Sequence, residues 1–393
     1  MGLDLSAGPF FRKREYSEKG ELDGLFIPDF IMYTGGALTY ETSYILRMEP
    51  ERGENTGGKK PSERQRSFRG LTSEFERGYL AFNTGRWRFI AGREYIQWGS
   101  GRDEGLILSM GAGSLDHVGV YYELGRFEFS TIHAVLHPSP ERRLAGHRLR
   151  IKLPGRIYLG ISETVLYTGR GFDYTYLLPV GSYYANQYNE RSDDNIMWGL
   201  DCRIPAGRGG IIRAELLIDD FQYEGRGEAP DKLGFKIAAE KLISGGGWHL
   251  ELLADYTFID IYTYSHKDSL TTRYVAGSGD PGGSGIIGSS LGPDAERWHF
   301  RAAAGLLPRV TVTLDGEYIR RGEGSDLRPW REGYDPNPPF PSGTVTREKR
   351  ISLSALYDLG GGSFVSAGGG VRKLDYQASE TDRFVHIGFV LDM

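Results

Sequence analysis

The chain reads as all-β: a single transmembrane antiparallel β-barrel of about eighteen strands, with residues 1–393 forming one domain. Three observations predict it. Large apolar residues recur at every second position, connections alternate between tight and long, and the composition includes 56 glycines, 24 tyrosines, 19 phenylalanines and 6 tryptophans. Strict alternation marks a strand with one apolar and one wet face. Tight turns at one end and long loops at the other are the habit of outer-membrane barrels. A soluble sandwich meets the same solvent at both ends and has no reason to sort its loops. Glycine serves the turns, and tyrosine and tryptophan serve interfacial girdles. Mean hydropathy is -0.40, and no apolar run approaches the ~20 residues that a membrane-crossing helix needs.

The elements follow in order. A first strand is expected near residues 3–15, interrupted by Pro9, and a second near 24–33. Tight turns are expected at Thr34 to Gly36, Asn83 to Gly85, Leu124-Gly125 and Pro154-Gly155, then at Pro205 to Gly210, Ser244 to Gly247, Leu307-Pro308 and Gly360 to Gly362. Between them lie polar, Gly/Pro-rich stretches at 49–71, 95–114, 137–143, 168–193, 223–230, 263–294, 322–345 and 377–381. Within the strands, Leu149 and Ile151 alternate with Arg148, Arg150 and Lys152. Leu250, Leu252, Ala254, Tyr256 and Phe258 alternate with His249, Glu251, Asp255 and Thr257. Val310, Val312 and Leu314 oppose Thr311, Thr313 and Asp315, and Ile351, Leu353 and Ala355 oppose Ser352 and Ser354. The last strand carries Val385, Ile387, Phe389, Leu391 and Met393 on one face. It is expected to pair with the first strand, removing the free edge, and to be read by the barrel-assembly machinery. An even strand number puts both chain ends on the periplasmic side.

The net charge of -5 is mild, and no nucleic-acid partner is expected. Cys202 is the single cysteine, so there is neither a disulfide framework nor a cysteine metal site. No metal or cofactor is predicted. Residues 1–6 show no secretory signal, so a signal is expected to have been removed from this numbering or to be missing from it.

The stretch from Gly92 to Glu224 resembles the Wzi-type capsule-assembly family. The matching segments begin with Gly92-Arg93 through Trp98-Gly99-Ser100-Gly101, then Gly105 to Ser109, Leu115-Asp116 and Gly146 to Leu149. They continue with Gly160 to Tyr167, Leu178-Pro179, Asp194-Asn195, Gly199 to Asp201 and Leu217 to Phe221. Ser100 stands where the family tends to have proline, and no segment offers a place for the periplasmic helical bundle of its best-known members. The resemblance implies a lectin-like outer-membrane protein. It would bind exported capsular or extracellular polysaccharide and organise it on the cell surface, as a monomer in outer-membrane lipid. The alternative is a porin or substrate-specific channel, since eighteen strands enclose a wide lumen.

Candidate ligand-contacting residues start with Trp98, Arg102, Asp103 and Glu104. An indole stacks on sugar C–H faces, and flanking charges hydrogen-bond hydroxyls. Equally, Trp98 can anchor a loop folded into the lumen. Asp193, Asp194 and Asn195 follow a loop with Tyr174, Tyr176, Tyr183, Tyr184 and Tyr188, and could offer oxygen ligands to a cation or a sugar. The tyrosines are expected to form the aromatic girdle or to pack the loop onto the barrel mouth. Strand parity puts Glu215 and Asp219 in the lumen with Arg213, and Asp220 and His147 on the lipid side. Arg148, Arg150 and Lys152 form a lumen basic ladder whose possible partners are Glu163, Glu215 and Asp219. That ladder is either a structural network or an anion-attracting wall. Loops 168–193 and 263–294 are long enough to fold inward and occlude the lumen.

No enzyme is expected. Gly160-Ile161-Ser162-Glu163-Thr164 lacks the closing glycine of a nucleophile elbow, and Gly282 to Gly285 lacks the lysine of a phosphate loop.

Overall fold

The computed structural model describes residues 2–10, 24–34, 37–48, 71–102, 104–139, 141–177, 181–220, 229–267, 272–277, 285–376 and 379–390. Eighteen strands form one antiparallel meander. The first six are β1 (Gly2–Phe10), β2 (Gly24–Thr34), β3 (Leu38–Met48), β4 (Leu71–Thr84), β5 (Trp87–Glu94) and β6 (Leu115–Leu124). Next come β7 (Phe127–Pro138), β8 (Glu141–Leu153), β9 (Ile157–Thr168), β10 (Asn195–Pro205), β11 (Gly210–Asp220) and β12 (Lys232–Gly245). The last six are β13 (Trp248–Ile259), β14 (Ala295–Leu307), β15 (Val310–Arg321), β16 (Thr346–Gly360), β17 (Ser363–Asp375) and β18 (Ser379–Val390). Every strand pairs with its neighbour in sequence, and β1 comes within 8 Å of β18, so the sheet curls into a barrel. No helix is long and apolar enough to cross a membrane among the described residues.

Among the described residues the predicted tight turns stand where expected, all at one end; Gly35 and Gly36 of the first lie outside the described residues. Gly85, Gly125, Gly155, Gly246 and Gly361 occupy them with positive φ, a conformation that glycine takes without steric cost. The outward faces are apolar: Ile161, Phe300, Ile351, Leu353 and Val385 are all more than half exposed in the isolated chain. In a membrane this band is covered by lipid rather than water. Aromatic residues ring it at both ends. Trp87 stacks on Tyr122 at 4.2 Å and on Phe89 at 5.9 Å near the turns, and Trp298 meets Tyr256 at 4.4 Å near the loops.

Three expectations about the elements need correction. Pro9 does not interrupt the first strand: it lies within β1, in register with Phe26, while residues 11–15 of the expected strand lie outside the described residues. Residues 137–143 are not a long loop: β7 runs on to Pro138, and β8 begins at Glu141. A register shift between Val135 and His137 lets the two strands keep pairing to their ends. A short helix, α1 (Tyr183–Glu190), interrupts the loop after β9. Loop 49–71 falls almost wholly outside the described residues, as do Leu391 and Met393.

The buried core lies inside the barrel. Inward residues Leu115, Ile132, Leu144, Leu166, Met197 and Leu217 meet Ile96, Trp98, Leu106, Ile107 and Leu108 from the segment after β5. Tyr264, Tyr274, Ile287 and Leu291, from the segment after β13, complete the cluster. Two inward segments therefore plug the lumen along β6–β14.

Candidate functional site

The plug is built by buried polar groups on the wall that satisfy the backbone of an irregular segment. Such backbone is tolerated at membrane depth only where protein surrounds it. Glu215, 4% exposed on β11, accepts the backbone N–H of Leu106 at 2.8 Å and that of Gly101 through its other oxygen. A Cβ on Gly99 would lie 2.6 Å from that carboxylate, so Gly99 leaves room for it. Lys236 Nζ donates to the Glu104 carbonyl at 3.0 Å, and Arg213 to the Ser100 carbonyl at 3.0 Å. Tyr264 and Tyr274 donate their hydroxyls to the carbonyls of Leu106 (2.6 Å) and Ile107 (2.9 Å), tying the two segments together. Asp219 accepts the N–H of Tyr264 at 2.6 Å. Each of these bonds satisfies a backbone group that would otherwise be buried unpaired.

The plug absorbs most of the predicted ligand residues. Trp98 is 3% exposed, and a Cβ on Gly146 of β8 would meet its ring at 2.9 Å, so the indole anchors the segment and does not face a sugar. Arg102 pairs with Glu251, and Glu104 accepts from Ser289 at 3.2 Å and from Ser290. Asp103 lies outside the described residues. Asn195 Nδ2 donates inward to the Thr272 carbonyl at 2.8 Å. Its neighbour Asp194 instead accepts from Arg170 (2.6 Å), Tyr176 (2.6 Å) and Ser192 (2.9 Å). The two residues serve separate structures, so they do not form a joint oxygen site.

The basic ladder finds other partners than those predicted. Arg148 pairs with Asp201 at 2.7 Å and Arg150 with Glu128, both in the lumen. Lys152, Arg150 and Arg203 surround the ring of Tyr158, 5.2–5.9 Å from its centre. Glu215 and Asp219 are occupied by the plug. Glu163 cannot reach the ladder at all, because it faces the other way. On β9, Thr164 reaches Tyr274 inside the lumen at 2.9 Å, while Ile161 on the Glu163 face is 54% exposed.

The described residues of the loop 168–193 do not fold inward to occlude the lumen; they turn outward and pack their tyrosines on the barrel. Tyr176 and Tyr183 pack on Ala145, Val165 and Tyr167, which form the outer wall of β8 and β9. Glu163 accepts the N–H groups of Tyr183 (2.9 Å) and Tyr184 (3.1 Å) and the indole N–H of Trp198 (2.8 Å). The first two are N-terminal donors of α1 that the helix itself leaves unpaired. His147, outward as parity predicted, lies 3.3 Å from Glu163, with its ring 4.4 Å from that of Tyr183. An apolar wall and a carboxylate on it together decided the direction.

At the loop end, one surface went unnoticed in the sequence. Asp294, fully buried, accepts from the N–H of Gly324 (2.7 Å) and from the N–H (2.9 Å) and hydroxyl (2.5 Å) of Ser342. This knot fixes both feet of the loop between β15 and β16. Glu323 accepts the N–H of Thr344 at 3.1 Å across the same feet. That bond and a second from the Thr344 side chain hold its carboxyl below the usual range. The loop presents Tyr334, 52% exposed, beside Arg331, with Trp330 donating to the Tyr334 carbonyl at 3.3 Å. No group of His, Cys, Asp and Glu able to hold a metal ion occurs among the described residues.

The sequence matches one known family along most of its length. The family model for capsule assembly protein Wzi matches residues 12–383. The chain belongs to the Wzi capsule-assembly family. This Wzi-family barrel is an outer-membrane protein of bacteria. Its fold is similar to Escherichia coli Wzi, described as an outer-membrane, carbohydrate-binding β-barrel involved in group 1 capsule assembly. The TM-score is 0.66 at 13% identity, covering 100% of this chain and 85% of that one. Pseudomonas aeruginosa OprD has a TM-score of 0.52 at 11% identity, covering 100% of this chain and 95% of that one. A BenF-like porin of Pseudomonas fluorescens has 0.52 at 13%, with 99% and 98% covered. No curated protein is significantly similar in sequence.

Proposed function

We propose that the chain is a non-enzymatic surface lectin that binds exported capsular or extracellular polysaccharide and helps hold it at the cell exterior. The observation that carries this reading is the plug. Leu106, Ile107, Tyr264 and Tyr274 fill the lumen along β6–β14 and spend their polar groups on one another. Support comes from family membership and from the description of the Escherichia coli protein as carbohydrate-binding.

With the interior taken up by structure, binding falls to the loop end, which by the rule for such barrels faces outward. Tyr334 and Arg331 supply a ring to stack on sugar C–H faces and a guanidinium to bind hydroxyls or sugar carboxylates. A polymer offers the same unit repeatedly, so weak sites add up through avidity.

Purified protein in detergent, presented with capsular polysaccharide on a glycan surface, tests the reading. Retention that Tyr334→Ala reduces supports it. A planar bilayer showing large, stable open-channel steps, with no glycan retention, would replace it with the porin reading.

A further inference from the structure

We propose that the outward-folded stretches 169–177 and 181–193 form a membrane-embedded shoulder, seated in the outer leaflet at the boundary of acyl chains and head groups. The inference is independent of the polysaccharide reading and rests on where the segment lies on the wall.

Its depth follows from strand geometry. Glu163 stands six residues along β9 from Ile157, the first residue at the tight-turn end. At about 3.3 Å per residue and a tilt near 40°, that is roughly 15 Å above the turns, within an apolar band about 25 Å tall. The N-terminus of α1 is bound to Glu163, so the segment descends into the band rather than standing above it. The wall directly below it is apolar: Leu159 is 41% and Ile161 54% exposed, and on β10 Leu200 is 42% exposed.

The chemistry of the segment's outer surface suits that depth. Tyr174 (77% exposed), Tyr188 (80%), Tyr184 (48%) and Leu177 (41%) point away from the barrel. From Phe172 to Asn189 the sequence contains one charged residue, Asp173. Asp173 is itself neutralised by Arg170 at 2.8 Å and bonded by Thr175 at 2.7 Å. The remaining charges lie beyond Asn189, where Glu190, Arg191 and Asp193 end the segment and Asp193 pairs with Lys267 at 3.5 Å. Tyrosine prefers the level at which its ring meets acyl chains and its hydroxyl meets head groups. A segment meant for bulk water would gain nothing from these four outward aromatic and aliphatic side chains with so few charges.

Single nitroxide labels test this. Cys202→Ser removes the native thiol, and Tyr188→Cys or Tyr174→Cys then carries the label in phospholipid nanodiscs. Leu200→Cys serves as the lipid reference and Tyr334→Cys as the water reference. Labels at 188 and 174 should collide with oxygen more often than with a water-soluble nickel chelate, as the label at 200 does. Accessibility matching position 334 would overturn the proposal. So would strong dipolar coupling between labels at 188 on separate chains, which would assign the surface to a second copy.

Discussion

Glu215 accepts the backbone N–H of Leu106 at 2.8 Å, across 109 positions of sequence, from inside the barrel wall. That one carboxylate, with its bond to Gly101, holds the bend of the plug segment in place. Glu215→Ala leaves two buried amides without an acceptor, a loss of about 2–4 kcal/mol. Thermal unfolding in detergent should shift downward, and planar-bilayer recordings should show transient openings that the parent chain lacks.

Gly146 and Trp98 set the tightness of the plug from the other side. A Cβ at 146 would approach the indole to 2.9 Å. Gly146→Val should therefore displace the ring and cost about 1–3 kcal/mol by overpacking. Trp98→Ala should cost more, about 3–5 kcal/mol, through the cavity left behind. Denaturant unfolding of both variants ranks the two effects.

The loop between β15 and β16 should loosen in acid. The Thr344 bonds depress the carboxyl of Glu323 in the folded chain. The contribution is complete above the ordinary carboxyl value of about 4.5 and is lost as pH falls through the depressed folded value. The protection of the Thr344 amide, its exchange rate taken relative to a free peptide at the same pH, should fall on acidification below pH 4.5, and Glu323→Gln should remove that pH dependence.

Glu163→Ala should free the outward segment without opening the barrel. Tyr183 and Tyr184 would lose the acceptor of their N–H groups, and Trp198 its partner. Limited proteolysis should then cut between 169 and 193 several-fold faster, while the melting point of the barrel changes little.

Tyr334→Ala and Arg331→Ala should weaken polysaccharide retention several-fold with stability changes within about 0.5 kcal/mol, as for surface sites. Glycan-surface binding beside a thermal melt separates the two effects.

Much of the architecture could be read from local pattern. The alternation of Leu149 and Ile151 with Arg148 and Arg150 assigned those residues to the correct faces, and the predicted tight turns that fall on described residues, from that at 83–85 to that at 360–362, are present. The sites were less legible. Trp98 has the residue type and flanking charges of a sugar contact, yet Gly146, far away in sequence, lies against its ring, and Glu215 holds the backbone that follows it. Tyr334 and Arg331 lie in a loop with no distinctive motif, and only the Asp294 knot shows that they form a fixed surface.

The sequence by itself determined the barrel, because a period of two is a property of each strand and needs no distant partner. It also determined which end carries the turns, because Gly and Pro act on their own backbone. Only the tertiary structure decided where the long loops go. Segments 95–114 and 263–294 fold inward because Glu215, Asp219 and Thr164 pair with them there. Segment 168–193 folds outward because Glu163 and the Val165–Tyr167 face offer it a better match on the outside. A loop's direction is a contest between surfaces brought together by closing the barrel, and no local period encodes it.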